Sequence, residues 1–410
     1  MTKTLIFSEE YVKITKGMFV VWTNYAREAA KTRQVAILLN REHWAFAEAE
    51  GAARSGQQVV VQRLPFDMPS TWLRRVLSAQ RRPFAIRAPV YALGQTLNFT
   101  LSPLIILYLY ARLRQIRPQA VFSHNGGWPA GPLCRWIMYA ARLAQVPKRI
   151  LVIHNYPRKE TSILESLLVA PLRFCSAQLV GRCATSIVTV SDSVKAVLEY
   201  EVFRRPVIRI HNGIDVSALE GRSERCATAL QWDPAGLVVG FVGALYPRKG
   251  AHVLIEAFRS VQTPCELALL GPGVGPPQYL SSLRERAGLC ANKVSFLGFH
   301  DDVDKFMQRI DLLVVPSIAF ESFGMVVLEA MRHRKPVICS DFGGMKEIVE
   351  NGVTGLVVPA GDAPALSKAM ERLLASSDAR HRMGEAGYRR LNAAFTAARM
   401  AEQYDSLVTR

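Results

Sequence analysis

The segment from Asp311 to Cys339 constrains the fold more than any other. Leu312-Leu313-Val314-Val315, closed by Pro316, and Val337-Ile338-Cys339, opened by Lys335-Pro336, are short apolar runs punctuated by proline, so each reads as a buried strand. Between them a helix begins near Ser322 or Gly324, which makes the unit strand, loop, helix, strand: a βαβ crossover. Glu321 falls in the loop at the carboxyl end of the first strand, just outside the helix. Glu329 falls further along, flanked by Val326, Val327, Leu328, Ala330 and Met331. A carboxylate costs too much to bury unpaired, so an acid in so apolar a helix calls for a specific partner. The plainer alternative is a capping acid and a solvated acid, since carboxylates are favoured near helix N-termini.

The same alternation runs through the chain. Thr4–Phe7, Val35–Leu39, Val59–Val61, Ala120–His124, Arg149–His154, Ser186–Ser191, Pro206–Ile210, Leu237–Val242, Glu266–Leu270 and Lys293–Leu297 read as further strands. Helical stretches at Met18–Ala30, 42–54, Pro132–Leu143, 162–181 and Ala251–Arg259 separate several of them. Alternating strands and helices predict an α/β architecture of two Rossmann-like parallel-sheet domains facing each other. At 410 residues the chain is too long for one ordinary core. The boundaries are placed at 1–205 and 206–385, with a C-terminal helical segment, 386–410, packing back on the first domain.

Charge divides unevenly along this layout. Residues 1–205 hold 28 Lys and Arg against 12 Asp and Glu, and the remainder holds 23 against 22, so nearly all of the net +17 lies in the first half. Such asymmetry speaks about partners, not about fold. It leaves an anionic membrane surface or an anionic acceptor as candidates; nucleic acid has charge in its favour but no reading motif. Arg74, Arg75, Arg81, Arg82 and Arg87 precede the apolar tract Leu101–Tyr110, and Arg112, Arg114 and Arg117 follow it. That tract reads either as a buried helix or as a face that touches a bilayer. No run approaches the roughly 18 apolar residues of a spanning helix, and the first residues lack a signal-peptide core. The seven cysteines contain no Cys-x-x-Cys pair, which predicts reduced thiols, a cytoplasmic location and no structural metal.

Several loops at strand ends carry chemistry. Gly243-Ala244-Leu245-Tyr246-Pro247-Arg248-Lys249-Gly250 follows a strand and precedes a helix. Arg248 and Lys249 therefore sit by a helix N-terminus, where positive charge is unfavourable unless it meets an anion such as phosphate. The start of the helix at Ser322, Phe323 and Gly324 offers backbone N–H donors to the same anion. His124 and His154 each end a strand and enter a loop, where open α/β sheets bind ligands. Lys16 and Gly17 stand just before the first helix and could let backbone donors approach an anion, an ordinary turn being the alternative.

Taken in order, His154-Asn155, Val188–Ser191, Asn212–Asp215, Gly243 with Arg248-Lys249-Gly250, Gly298-Phe299, Glu321-x7-Glu329, and Gly343-Gly344 with Glu347 resemble the family-4 retaining glycosyltransferases of GT-B type. The resemblance implies a nucleotide-sugar donor domain, an acceptor domain and a cleft between them. It implies that Glu321 holds donor sugar hydroxyls and Glu329 the ribose, that Lys249 with Arg248 neutralises the diphosphate, and that Phe299 lies by the nucleobase. Gly243, Gly271 and Gly273 would line the donor side, and His154 would contact the donor sugar. No protein-bound metal or other cofactor is implied, and the adjacent Asp301 and Asp302 read as loop acids; the donor would be a UDP- or GDP-sugar. The acceptor would be a saccharide or lipid-linked molecule, with Lys16, Gly17 and His124 on its side. The chain departs from the family at Ala244, where an arginine is usual, and Arg248 is the candidate replacement. The reading that follows is a cytoplasmic enzyme at the anionic inner face of a bacterial membrane, extending surface polysaccharide or lipopolysaccharide. A soluble-acceptor synthase of the same fold, and a non-catalytic module that binds anionic surfaces, are the alternatives.

Overall fold

The computed structural model describes residues 3–8, 17–40, 43, 58–66, 84–125, 131–155, 174–216, 232–300 and 302–409. The chain forms two compact units. One comprises Met1–Thr189, Lys195–Ile210 and Ala401–Arg410; the other comprises Val190–Val194 and His211–Met400. The long segments of the two units meet between Ile210 and His211. The chain re-enters the first unit at Ala401, within its last helix.

In the first unit β1 (Lys3–Ser8), β2 (Gln34–Leu39), β3 (Val59–Arg63), β4 (Ala120–Asn125), β5 (Lys148–Ile153), β6 (Ser186–Thr189) and β7 (Ile208–Arg209) make one sheet in the order β3-β2-β1-β4-β5-β6-β7. Every neighbouring pair is parallel. A parallel sheet is covered on both faces, and consecutive Leu5, Ile6 and Phe7 are accordingly all buried. The helix Gly17–Ala29 turns Val21, Trp22, Tyr25, Ala26 and Ala29 inward at helical spacing. The last helix, Ala397–Thr409, buries Tyr404 against Tyr25 and Phe122, with ring centroids 5.1 and 5.6 Å away, and pairs Asp405 with Arg33.

The tract Leu101–Tyr110 belongs to a 33-residue helix, Phe84–Ile116. It is neither wholly core nor wholly surface. Ile105, Leu109 and Leu113 are buried along one stripe, while Leu97, Leu101, Leu104 and Leu107 are 37, 38, 65 and 61% exposed along another. No helix among the described residues is long and apolar enough to cross a membrane. The expected helix over 42–54 lies outside the described residues.

The second unit holds β8 (Leu237–Val242), β9 (Cys265–Leu270), β10 (Lys293–Gly298), β11 (Leu312–Val315), β12 (Val337–Ser340) and β13 (Gly355–Val358), all parallel, in the order β10-β9-β8-β11-β12-β13. Alternate residues feed two separate cores. Val238, Ala268, Leu270, Leu313 and Val315 enter one; Val239, Leu267, Leu269, Leu312 and Val314 enter the other. Helix starts are capped by side chains: Asp302 accepts from the Lys305 amide at 3.1 Å, Asp362 from Ala365 at 2.8 Å and Ser376 from Ala379 at 3.1 Å. Asp302 is therefore a helix cap and not a plain loop acid.

Candidate active site

The topology of the second unit selects where a ligand binds. From β8 the chain adds β9 and β10 outward on one side, then crosses to place β11 on the other side of β8. The order reverses between β8 and β11, and in open parallel sheets ligands settle outside the carboxyl ends of strands at such a switch point. The two loops that leave there are Gly243–Gly250 and Pro316–Gly324, and they bring Lys249 and Glu321 into a direct ion pair.

Backbone contacts tie these loops together. The Ile318 amide donates to the Arg248 carbonyl at 3.0 Å. Gly250 adopts φ +74°, and a Cβ there would stand 1.8 Å from the Pro316 carbonyl oxygen, so no other residue fits. After β12, the Gly344 amide donates to the Glu321 carbonyl at 2.8 Å, and a Cβ on Gly343 would meet that same oxygen at 2.1 Å. On the other side, the Gly243 amide donates to Leu270 at 2.9 Å, Leu245 to Pro272 at 2.9 Å, and Gly271 to Gly298 at 2.7 Å. Five loops thus line up along the carboxyl edge in the order of the strands that carry them. Gly273, next to Pro272, lines a cavity of about 380 Å³ with Gly275, Leu280, Ser281 and Arg284.

The Lys249–Glu321 pair is half-shielded, each side chain being 18% exposed. Burial pushes the Glu321 carboxyl up, but the Lys249 charge and hydrogen bond, with the nearby Arg248 charge, outweigh it and hold the group below the usual glutamate range. Glu321 is therefore an ionised acceptor at neutral pH. Arg248 itself is exposed at the rim. The helix that follows, Met325–Arg332, has no side-chain cap among the described residues and no acid in its first turn. Its Gly324 start leaves N–H groups and the positive end of the helix dipole for an anion. Ser322 and Phe323 are buried, and Phe323 is a core residue whose ring lies 5.6 Å from His211 and 6.1 Å from Phe395. Glu329 is half-buried in the same helix. Phe299, after β10, is 49% exposed.

The anchoring role of Glu347, and Phe342 as a whole, escaped the sequence. Glu347 accepts from the amides of Asp192 (2.9 Å) and Ser193 (3.0 Å), the Ser193 hydroxyl (3.1 Å) and His211 Nε2 (3.1 Å). Burial raises its carboxyl, and these donors more than offset it, holding the group below its ordinary range. The acid that follows the Gly343-Gly344 pair is thus an anchor for the segment Val190–Val194. Phe342, 41% exposed, stands edge-on to Phe320 beside the Glu321 loop, with centroids 6.3 Å apart; its single aromatic side chain carried no pattern to find it by.

In the first unit the strand order reverses between β1 and β4, and Ser8 and His124 face each other in register there. His124 lies within β4 and not in a loop. It is fully buried. Its Nδ1 stands 2.9 Å from Nε2 of His154, which follows β5 and is 9% exposed, and the two rings stack at 20°. Burial lowers both imidazoles, and the neighbouring His154 adds to the effect on His124, so the pair is neutral at pH 7. Gly17 opens the first helix, and Lys16 lies outside the described residues. Among the described residues no group of three or more His, Cys, Asp or Glu is placed to hold a metal ion.

The family described as "Glycosyl transferases group 1" matches residues 227–390, the stretch that builds the Lys249–Glu321 site. A phosphatidyl-myo-inositol mannosyltransferase of Mycobacterium leprae is 31% identical over 280 residues, covering 66% of this chain and 70% of the relative. An O-antigen chain mannosyltransferase C of Escherichia coli is 34% identical over 173 residues, 41% of this chain and 45% of the relative. The crystal structure of Anabaena Alr3699/HepE in complex with UDP superposes with a TM-score of 0.69 over the whole of both chains at 19% identity, which shows the fold. The chain belongs to the group 1 glycosyltransferases of GT-B fold, enzymes that transfer a sugar from a nucleotide-sugar.

Proposed function

We propose that this enzyme transfers a hexosyl group with retention, from a UDP- or GDP-sugar to a hydroxyl of a saccharide or lipid-linked acceptor, in the assembly of a bacterial surface polysaccharide or lipopolysaccharide. The observation that carries the reading is the Lys249–Glu321 pair at the switch point of the second unit. Glu321, ionised, accepts hydroxyls of the donor sugar. Lys249 and the exposed Arg248 neutralise the charge that develops on the leaving diphosphate, with N–H donors of the Gly324 helix start; such electrostatic stabilisation is usually the largest part of a transfer barrier. Phe299 stacks on the base, Glu329 takes the ribose hydroxyls, and Gly243, Gly271 and Gly273 let backbone approach the donor. His154 contacts the donor sugar, and Lys16 and Gly17 serve the acceptor.

Glu321 has a binding role in this scheme, so the transfer proceeds on one face of the sugar. The acceptor oxygen bonds to the anomeric carbon as the bond to the phosphate oxygen breaks, and the acceptor proton passes to that leaving oxygen. The relatives' names, a phosphatidylinositol mannosyltransferase and an O-antigen mannosyltransferase, favour a lipid-linked or surface-glycan acceptor. A thermal-shift screen with UDP-, GDP- and ADP-sugars identifies the donor, because a ligand bound only to the folded state raises apparent stability. NMR of the product then reads the anomeric configuration. Inversion, or a glycosyl adduct trapped on Glu321, overturns the scheme.

The enzyme works at an anionic membrane surface. Leu97, Leu101, Leu104 and Leu107 form an exposed apolar stripe on the helix Phe84–Ile116, with exposed Arg114 in its last turn and exposed Arg117 just after it, in the half of the chain that carries the positive charge. Co-sedimentation should be strong with phosphatidylglycerol vesicles, weak with phosphatidylcholine vesicles, and reduced in Leu104→Ser/Leu107→Ser. Binding indifferent to lipid charge and to both substitutions refutes the surface.

A further inference from the structure

The buried histidine of β4 has no part in the scheme above, yet its ring is bound to one that does. His124 Nδ1 and His154 Nε2 are 2.9 Å apart, so a single proton lies between two neutral rings. The other nitrogen of His124, Nε2, is fully buried and has no hydrogen-bond partner among the described residues. Two tautomer pairs satisfy the short contact. If His154 Nε2–H donates, His124 must carry its remaining proton on Nε2, leaving an N–H donor stranded in the core. If His124 Nδ1–H donates, Nε2 is a bare nitrogen and nothing is stranded but a lone pair. Buried main-chain N–H groups are orphaned more rarely than main-chain acceptors are under-satisfied, and a stranded imidazole N–H bears the same kind of desolvation cost. The second arrangement also leaves His154 with its proton on Nδ1, the only ring nitrogen it has left for a ligand.

We propose that His124 is a positioning residue that fixes His154 as the Nδ1–H tautomer, making His154 a hydrogen-bond donor toward an oxygen of the substrate. The surroundings fix the backbone that carries both rings. The His154 amide donates to the Asn125 carbonyl at 3.0 Å, the Cys134 thiol donates to the His124 carbonyl at 3.3 Å, and the Ser123 hydroxyl donates to the Cys134 carbonyl at 2.9 Å. Tyr404 closes the site with its ring 6.4 Å from that of His124. The ring contact, not the backbone, decides which nitrogen of His154 keeps the proton. A donor at Nδ1 suits an ether, hydroxyl or phosphate oxygen and does not suit a group that must give up a proton.

The inference rests on His154 acting on the substrate, and the experiment separates the two claims. Histidine-labelled full-length enzyme is studied by NMR at pH 7, and turnover is followed by nucleoside diphosphate released from the nucleotide-sugar with the largest thermal shift. Wild type should show His154 as the Nδ1–H tautomer. In His124→Asn the side-chain amide replaces the Nδ1–H donor, so the tautomer should persist and kcat should stay within about threefold of wild type. In His124→Leu the donor is gone; His154 should become a tautomer mixture, with kcat about tenfold lower and donor KM unchanged. A wild-type His154 protonated on Nε2 overturns the proposal, as does a folded His124→Asn enzyme as impaired as His124→Leu. Full turnover in His154→Ala, with the tautomer as expected in wild type, would instead overturn the functional role of His154.

Discussion

Replacing Lys249 by methionine tests the core of the site. The substitution keeps most of the side-chain volume and removes the charge that holds Glu321. A hydrogen bond to a charged group contributes about 1.5–3 kcal/mol net, and stripping one partner from a fully buried pair costs about 3–5 kcal/mol. Here both side chains retain 18% exposure and Arg248 still contributes its charge, so a loss of about 2–3 kcal/mol is expected. For a unit of this size that lowers Tm by roughly 4–12 °C. Glu321→Gln alone and with Lys249→Met completes a double-mutant cycle in urea, where the coupling should be at least about 1.5 kcal/mol. The pH dependence has a definite sign. Because Glu321 titrates below its ordinary range, the pair's contribution is complete at neutral pH and is lost as pH falls through the lowered value. The penalty of Lys249→Met should shrink in acid, as the stranded carboxylate takes up a proton. Single effects that add to within about 0.5 kcal/mol would show that the two groups do not interact, and the site would lose its organising contact.

Three further outcomes follow from the same geometry. Gly250→Ala must place a Cβ against the Pro316 carbonyl at a left-handed backbone, so the loops of β8 and β11 should part; nucleotide binding should fall at least tenfold in calorimetry, with unit stability lower by more than about 2 kcal/mol. Phe299→Ala should leave Tm within about 1 °C, since the ring is half exposed, and, on the proposed role of the ring against the base, weaken binding of the free nucleotide by about tenfold. Glu347→Gln should cost about 1.5–3 kcal/mol at pH 7 in urea denaturation. Because its carboxyl is held below the ordinary range, the difference from wild type should vanish as pH falls through that lowered value.

Strands are legible in the sequence because a parallel sheet covered on both faces demands uninterrupted apolar runs, and such runs stand out from Leu5 to Cys339. β13 is not: Gly355-Leu356-Val357-Val358 is only four residues long and begins with glycine, too little to distinguish from a loop. The helix Phe84–Ile116 shows itself only in its most apolar third, because no polar face marks the rest of its course. His124 falls inside its strand and not beyond it, because the pairing of β4 with β5 continues to Asn125, an extension that no local pattern reveals.

The residues themselves determined the α/β alternation, the uneven charge, and the types of group at the strand ends: cations after β8, acids after β11, glycines after β12. Those follow from solvation and backbone sterics, which act locally. What they do to one another depended on strand order. Lys249 and Glu321 are 72 positions apart and meet only because β11 is inserted beside β8. His124 and His154, 30 positions apart, become one hydrogen-bonded pair only because β4 and β5 are neighbours in the sheet. Pairings of that kind are settled by the packing of whole strands, since the free energy that places β11 beside β8 comes from two hydrophobic cores and not from the charges that end up side by side.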